Sequence, residues 1–338
     1  MGVRIIAEVG SVHDGSLGNA RELVRVAAEC GADVVKFQTH IASAETLRSA
    51  PSPPYFSGEP RFEYFERTTF SREQLRDLKA AAEGRGIEFL SSPFSVEAVT
   101  LLEDVGVVRY KVPSGEITNL PLIEAIAATG KPVLLSSGMS SWTELDRAVE
   151  TVQRHHDRLT VLQCTSAYPC PYERVGLNVM VEMGKRYAVP VGLSDHTLTP
   201  YAALAAVALG ASVVEKHLTF SRQMYGSDAR HSMEPAEMAE LVRGIRAIEA
   251  MLAHPVDKDD LSLLAGMKTT FEKSVVSVAA IPRGTVVERA MLGFKKPGTG
   301  IPAHQWSGVV GRRAARDIPA DHLIADEDLE KPPGARTD

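Results

Sequence analysis

The chain is poor in cysteine: its 338 residues include only Cys30, Cys164 and Cys170. An odd number without a CxxC pair excludes a disulfide framework and a closed structural zinc site, and leaves buried free thiols as the expectation. No run of 18 apolar residues occurs, and no basic, apolar leader precedes Ile5, so neither a membrane span nor an export signal is expected. The reading is a cytoplasmic protein. Positive charge is not in excess either. A net charge of -6 gives no field to hold a polyanion, so nucleic acid is not an expected partner. Length exceeds what one hydrophobic core usually sustains, which predicts a large domain and a smaller one.

What is present is a rhythm. Short β-branched runs ending in polar residues alternate with amphipathic stretches, the pattern of a parallel sheet. Eight such runs fall at Ile5 to Val9, Val34 to Phe37, Glu88 to Ser91, Arg109 to Val112, Val133 to Ser136, Thr160 to Cys164, Val191 to Ser194 and Val213 to Leu218. Helices are predicted over Leu17 to Cys30, Arg72 to Arg85 behind a Ser71/Gln74 capping box, Thr143 to His155, and Tyr201 to Leu209 after Pro200. Eight βα units in sequence predict an α/β fold, a (β/α)8 TIM barrel over residues 1–252. A doubly wound sheet rarely needs eight sequential units and would normally carry a glycine-rich phosphate turn after its first strand. The stretch from Thr39 to Phe70 interrupts the rhythm with Pro51, Pro53, Pro54, Gly58 and Pro60, and reads as a long loop. After a linker at 253–270, residues 271–338 read as a small, mostly β domain. There Ile281, Pro282, Val287 and Leu292 recur in spacing as Ile318, Pro319, Ile324 and Leu329.

In such a barrel the strand C-termini share one mouth, so residues distant in sequence form one constellation. It gathers Glu8, Lys36 with Gln38, Ser91 with Ser92, Lys111 with Ser114 and Glu116, Ser136, Gln163 with Thr165, Ser194 with His196, and Glu215 with His217. His196 and His217 follow adjacent strands, which suits a divalent metal. Two nitrogens completed by oxygens from substrate and water fit Mn²⁺ best, with Mg²⁺ or Co²⁺ possible. Lys36 and Lys111 with Ser114, Ser136 and Ser194 suit a phosphate together with a carboxylate, the groups of phosphoenolpyruvate. A Schiff-base lysine is the competing chemistry. Glu8, Glu116 and Asp228 are acids able to orient hydroxyls or carry protons.

These same residues sit in blocks that resemble the N-acetylneuraminate (sialic acid) synthase family almost end to end. The blocks are AEVG from Ala7, VVKFQTH from Val34, SSPFS from Ser91, YKVPSGE from Tyr110, GKPVLLSSGMS from Gly130, QCTSAYPCP from Gln163, GLSDHT from Gly192 and ALGASVVEKH from Ala208. KKPGTGI from Lys295 and the repeated Ile-Pro segments resemble the antifreeze-like SAF domain that completes the family. The resemblance implies a transferase that condenses phosphoenolpyruvate with an N-acyl amino sugar, N-acetylmannosamine first, to give N-acetylneuraminate and phosphate. It implies phosphoenolpyruvate contacts at Lys36, Lys111, Ser114, Ser136 and Ser194, and manganese ligands at His196 and His217. Glu8, Gln38, Tyr168, Glu215 and Asp228 match positions around the sugar, and Glu116 a glutamate at the reacting centre. A homodimer follows too, each SAF domain covering the partner's barrel mouth. Two departures bear on sugar recognition. The relatives' NHNG loop reads VHDG from Val12 to Gly15, and the arginine of their KRPG segment is Lys296. A lysine cannot copy a bidentate guanidinium. Synthases of legionaminate or pseudaminate type, a 3-deoxy-aldulosonate phosphate synthase, and a non-catalytic sugar-binding barrel remain as alternatives.

Overall fold

The computed structural model describes residues 2–51 and 59–331. The chain divides into two compact units, Met1–Pro255 and Val256–Asp338, each treated by itself.

The first unit is the expected barrel. Its strands are β1 (Arg4–Gly10), β2 (Val34–Thr39), β3 (Glu88–Pro93), β4 (Tyr110–Val112), β5 (Val133–Ser136), β6 (Leu159–Cys164), β7 (Val191–Asp195) and β8 (Val213–His217). All pair in parallel, in the order β3-β2-β1-β8-β7-β6-β5-β4. Among the described residues no ladder joins β3 to β4, the two ends of this order. Helices lie between strands as predicted, and their ends follow local chemistry. Both ends of a capping box are made by Ser71 with Gln74 at Arg72–Glu83, and by Ser141 with Glu144 at Trp142–Gln153. Among the described residues no helix is long and apolar enough to cross a membrane.

The strands explain why a site forms where it does. Successive side chains on a strand alternate, so residues two apart share a face. Ile6, Val34, Leu90, Leu134, Leu162 and Val213 form one buried apolar cluster inside the barrel. Two residues further along the same strands stand Glu8, Lys36, Ser92, Ser136, Cys164 and Glu215, all buried. The apolar layer is thus the floor, and a polar layer rests on it. On β7 the floor position is Gly192, where a Cβ would collide with the Val213 carbonyl and Leu162, and the next residue on that face is Ser194. A second, larger core lies outside the strands, where Val35, Phe37, Leu135 and Val161 pack against helix residues such as Leu23, Leu78, Leu102 and Leu145.

The stretch from Thr39 to Phe70 is not simply a loop. It holds the helices Ala42–Glu45 and Arg61–Thr68. The latter buries Phe62, Tyr64 and Phe65 with Ala42, and this small aromatic core outweighs the helix-breaking composition around it. Pro53, Pro54 and Gly58 lie outside the described residues.

In the second unit, the stretch read as linker carries the helix Ala265–Phe271. Beyond it, β9 (Ser274–Ser277) pairs antiparallel with β10 (Leu292–Lys295). The sequence repeat is a structural one: Ile281 and Ile318 exchange backbone hydrogen bonds of 2.8 and 2.9 Å. Gly284 and Asp321 both take positive φ, 81° and 58°. One-turn helices follow at Arg289–Met291 and Asp326–Asp328. Val287, Leu292, Ile324 and Leu329 then share one core.

Candidate active site

Above the apolar floor lies a chamber of about 340 Å³ whose centre is a chain of buried charges. The Lys36 ammonium stands 2.9 Å from Glu215 Oε1 and 3.3 Å from Glu8 Oε2, and the Lys111 ammonium 3.7 Å from Glu215 Oε1. None of these four side chains is more than 5% exposed. Ser194 Oγ donates to Glu215 at 3.1 Å, and Gln38 Nε2 to Glu8 at 2.8 Å. Burial pushes the Glu8 carboxyl up to about 7, with Lys36 restraining the rise. Burial acts the same way on Glu215, but Lys111 and Lys36 outweigh it and hold that carboxyl down at about 2. Burial lowers Lys111 to about 8 against the pull of Glu215. Two carboxyl groups thus stand against two amines in this buried chain, and the charge of each depends on its partners. The buried hydroxyls of Ser92 and Ser136, which have no hydrogen-bond partner in the protein, stand in the same polar layer.

His196 and His217 meet at the chamber wall, ring centroids 5.5 Å apart, with Tyr168 4.1 Å from His196. His196 Nδ1 donates to the Thr165 carbonyl at 2.9 Å, which leaves Nε2 as its lone-pair nitrogen. His217 Nδ1 is buried without a partner. Burial pushes the His217 ring down to about 4, so it is neutral, as a ligand must be. His196 is shifted upward, burial opposing the proton and Cys164 favouring it. Among the described residues no three or more His, Cys, Asp or Glu groups cluster in metal-binding fashion. Were the two imidazoles to hold an ion, its remaining ligands would come from substrate and water. Asp228 is held beside them by Ser11, whose backbone N–H and Oγ donate to Oδ2 at 2.9 and 2.8 Å.

Under these two strand ends lies a second buried ion pair. Lys216 Nζ donates to Asp195 Oδ2 at 2.7 Å, to Thr199 O at 3.2 Å, and to the Thr197 carbonyl. It ties β8 to the segment that follows His196.

The chamber gathers Glu8, Lys36, Gln38, Lys111, Ser114, Ser136, Tyr168, Ser194, His196, Glu215, His217 and Asp228, as read from the sequence. Six named residues are not among those lining it. Ser91 is buried against Thr39, 2.7 Å between their hydroxyls, and Gln163 with Thr165 line a neighbouring cavity. Ser92 is buried within β3. Glu116 ends the single turn Ser114–Glu116, its carboxylate accepting from Asn119 Nδ2 at 2.8 Å. Lys296 belongs to the second unit, its ammonium 4.7 Å above the Phe271 ring. Sequence reasoning missed His40, Arg61, Phe65, Phe94, Met139, Cys164 and Ser166, all of which line the chamber. Cys164 was legible, standing two residues beyond the floor residue Leu162. Gly138 also matters: it donates its N–H to Ser114 Oγ at 3.1 Å, and a Cβ there would collide with Ser114 and Ser166.

Comparison with known proteins places this geometry. Residues 23–257 match the NeuB family and residues 272–330 the SAF domain. The chain is 37% identical to human N-acetylneuraminate-9-phosphate synthase, covering 96% of this chain and 91% of that protein. It is 35% identical to the N,N'-diacetyllegionaminic acid synthase of Campylobacter jejuni, covering 95% and 98%. Among solved structures, the sialic acid synthetase of Leptospira borgpetersenii superposes with a TM-score of 0.70 at 30% identity, covering 79% of this chain and 91% of that one. A barrel with lysines, serines and paired histidines at its mouth, matched over most of its length, leaves one conclusion: the chain belongs to the NeuB family, the sialic acid-type synthases, and ends in a SAF domain.

Proposed function

We propose that the chain joins phosphoenolpyruvate to the aldehyde of an open-chain N-acyl amino sugar, N-acetylmannosamine first, releasing phosphate and a nonulosonic acid. The observation that carries this reading is the buried Glu8–Lys36–Glu215–Lys111 chain, which sets two lysines in one chamber with two imidazoles above a buried apolar floor. Lys36 and Lys111 bind the phosphate and carboxylate of phosphoenolpyruvate, and Ser114, Ser136 and Ser194 orient them by hydroxyl donation. Glu8, Gln38, Tyr168 and Asp228 hold the sugar, with Glu215 fixing both lysines. A divalent ion, Mn²⁺ before Mg²⁺ or Co²⁺, held by His196 and His217, would supply Lewis-acid polarisation of the sugar carbonyl. Carbon 3 of phosphoenolpyruvate then attacks carbon 1 of the sugar, water adds at carbon 2, and phosphate leaves with its bridging oxygen. Glu116, whose carboxyl is shifted upward by burial, takes the proton of that water. Lys296 reaches the sugar from the SAF domain of a second subunit in a homodimer.

The test is phosphate release and mass analysis of the acid formed from phosphoenolpyruvate and a panel of N-acylated mannosamines and bacillosamine-type sugars. Arg61 lines the chamber, so phosphorylated sugars belong in that panel. Phosphoenolpyruvate labelled with ¹⁸O at its bridging oxygen should pass the label to phosphate. Label recovered in the sugar acid, or no phosphate released with any member, would overturn the reading.

A further inference from the structure

His40 is a chamber residue whose environment is unusual for a histidine at a strand end. It follows β2 and is 8% exposed. Its ring lies flat between two phenylalanines, 3.8 Å from Phe65 at 14° and 4.1 Å from Phe94 at 21° between planes. Both nitrogens have oxygen partners. Nδ1 is 2.7 Å from Glu45 Oε1, and Nε2 is 3.1 Å from Gln38 Oε1. The same Gln38 side chain donates through Nε2 to Glu8 Oε1 at 2.8 Å. Glu45 is itself 5% exposed, and its other oxygen accepts from the Ile41 backbone N–H at 3.3 Å.

A continuous line therefore runs Glu45, His40, Gln38, Glu8. An amide has two distinguishable ends, and only one orientation of Gln38 gives Glu8 a donor. In that orientation its oxygen faces His40, so Nε2 donates there, while Nδ1 is turned to the Glu45 carboxyl. Tertiary packing alone would be served by a third phenylalanine.

We propose that His40 is a positioning residue for sugar binding: stacked between Phe65 and Phe94, anchored at Nδ1 by Glu45 and donating from Nε2, it fixes the Gln38 amide so that its N–H faces Glu8. Glu45, on the short helix Ala42–Glu45, holds the other ring nitrogen, and the helix Arg61–Thr68 supplies one wall of the ring clamp through Phe65. Titratable and charged neighbours are Arg61, Glu116 and His13. The insertion after β2 thus reaches Gln38 and Glu8 through this ring. The proposal rests on the reading of Gln38 and Glu8 as sugar contacts, and it adds the residue that orients them.

Two measurements on the full-length protein test it. The first is the imidazole ¹⁵N spectrum at pH 7, with His40 identified as the signal missing from His40→Phe, or from His40→Gln should the former not fold. A protonated Nε2 is expected. An unprotonated Nε2 in the unsubstituted protein would overturn the proposal. The second is steady-state kinetics of His40→Phe, which keeps the ring stack and removes both ring nitrogens. KM for the sugar should rise roughly tenfold, the worth of one well-placed hydrogen bond, while KM for phosphoenolpyruvate stays within about twofold. His40→Gln, able to donate to Gln38, should recover part of the loss. Equal rises in both KM values, or none, would show a purely structural ring. The spectrum is independent of turnover, so a protein inactive with every sugar tested would defeat the synthase reading and leave the state of His40 to be judged on its own.

Discussion

Lys216 and Asp195 lie on neighbouring strands of the barrel, 2.7 Å apart, each with a side chain 1% exposed. Each stands next in sequence to one of the paired histidines, so the pair is the mechanical link between them. Removing one member of a buried pair leaves the other uncompensated, at a cost of about 3 to 5 kcal/mol. Lys216→Met should therefore lower the unfolding free energy in urea by that order and should loosen the Thr197–Thr199 segment. A loss below about 1 kcal/mol would mean that water reaches Asp195 and that the pair is not closed.

Asp328 makes an acid-sensitive lock in the second unit. It is 1% exposed, and accepts from Arg316 at 2.6 Å and from the Ala325 N–H at 2.8 Å, with His322 at 3.3 Å. Burial opposes its charge, but these partners outweigh burial and hold the carboxyl below the usual range. A depressed folded value means that the stabilisation is present above the unfolded value, near 3.9, and is lost as pH falls through the folded one. Thermal unfolding reported by Trp306 in a Trp142→Phe background should show this loss below about pH 4. Asp328→Asn should already be destabilised at pH 7 and nearly flat across that range. A wild-type profile as flat as the variant's would refute the assignment.

For the metal, His217→Ala should abolish turnover and metal retention while the far-ultraviolet circular dichroism stays native. Two ligands are too few to lose one. Elemental analysis after gel filtration reads retention directly, and full activity of this variant after chelation would remove the metal from the site.

Lys296 tests the arrangement of subunits. Lys296→Ala should raise KM for the sugar by roughly 5- to 150-fold, the equivalent of 1 to 3 kcal/mol, and leave that for phosphoenolpyruvate nearly unchanged. Mixed with inactive Glu116→Ala under conditions that exchange subunits, it should regain activity, because one hybrid site would carry neither defect. No recovery despite demonstrated exchange would place Lys296 in cis or outside the site.

What could be read without coordinates follows a physical line. The barrel was legible because short apolar runs alternate with amphipathic stretches eight times, and on six of the strands an inward apolar residue is followed two positions on by a residue of the polar layer. Lys36, Glu215 and Ser136 come from strand periodicity alone. His40, Arg61 and Phe65 do not, because two of them ride on an insertion whose helix is held by its own aromatic core, and the third acts through that insertion. Proline content pointed to a loop, and local propensity was overridden by packing. Cys164 was passed over because a lone thiol in a cysteine-poor chain reads as filler, although its spacing from Leu162 puts it in the polar layer. Ser92 and Glu116 show the limit of position as a guide: one stands near the end of β3 and the other in the turn after β4, yet neither is among the residues that line the chamber.

The unladdered boundary between β3 and β4 has a thermodynamic meaning for the barrel. Among the described residues seven of the eight neighbour relations around the cylinder are laddered, so the cylinder has a seam. Backbone amides bordering the seam should exchange with solvent before those of β8 and β7, whose ladders are the most interior. Lys111 and Ser114 lie on one lip of that seam, Ser92 on the other. Any ligand that grips both lips at once works as a rivet, and occupancy would then be written into the melting temperature as well as the rate.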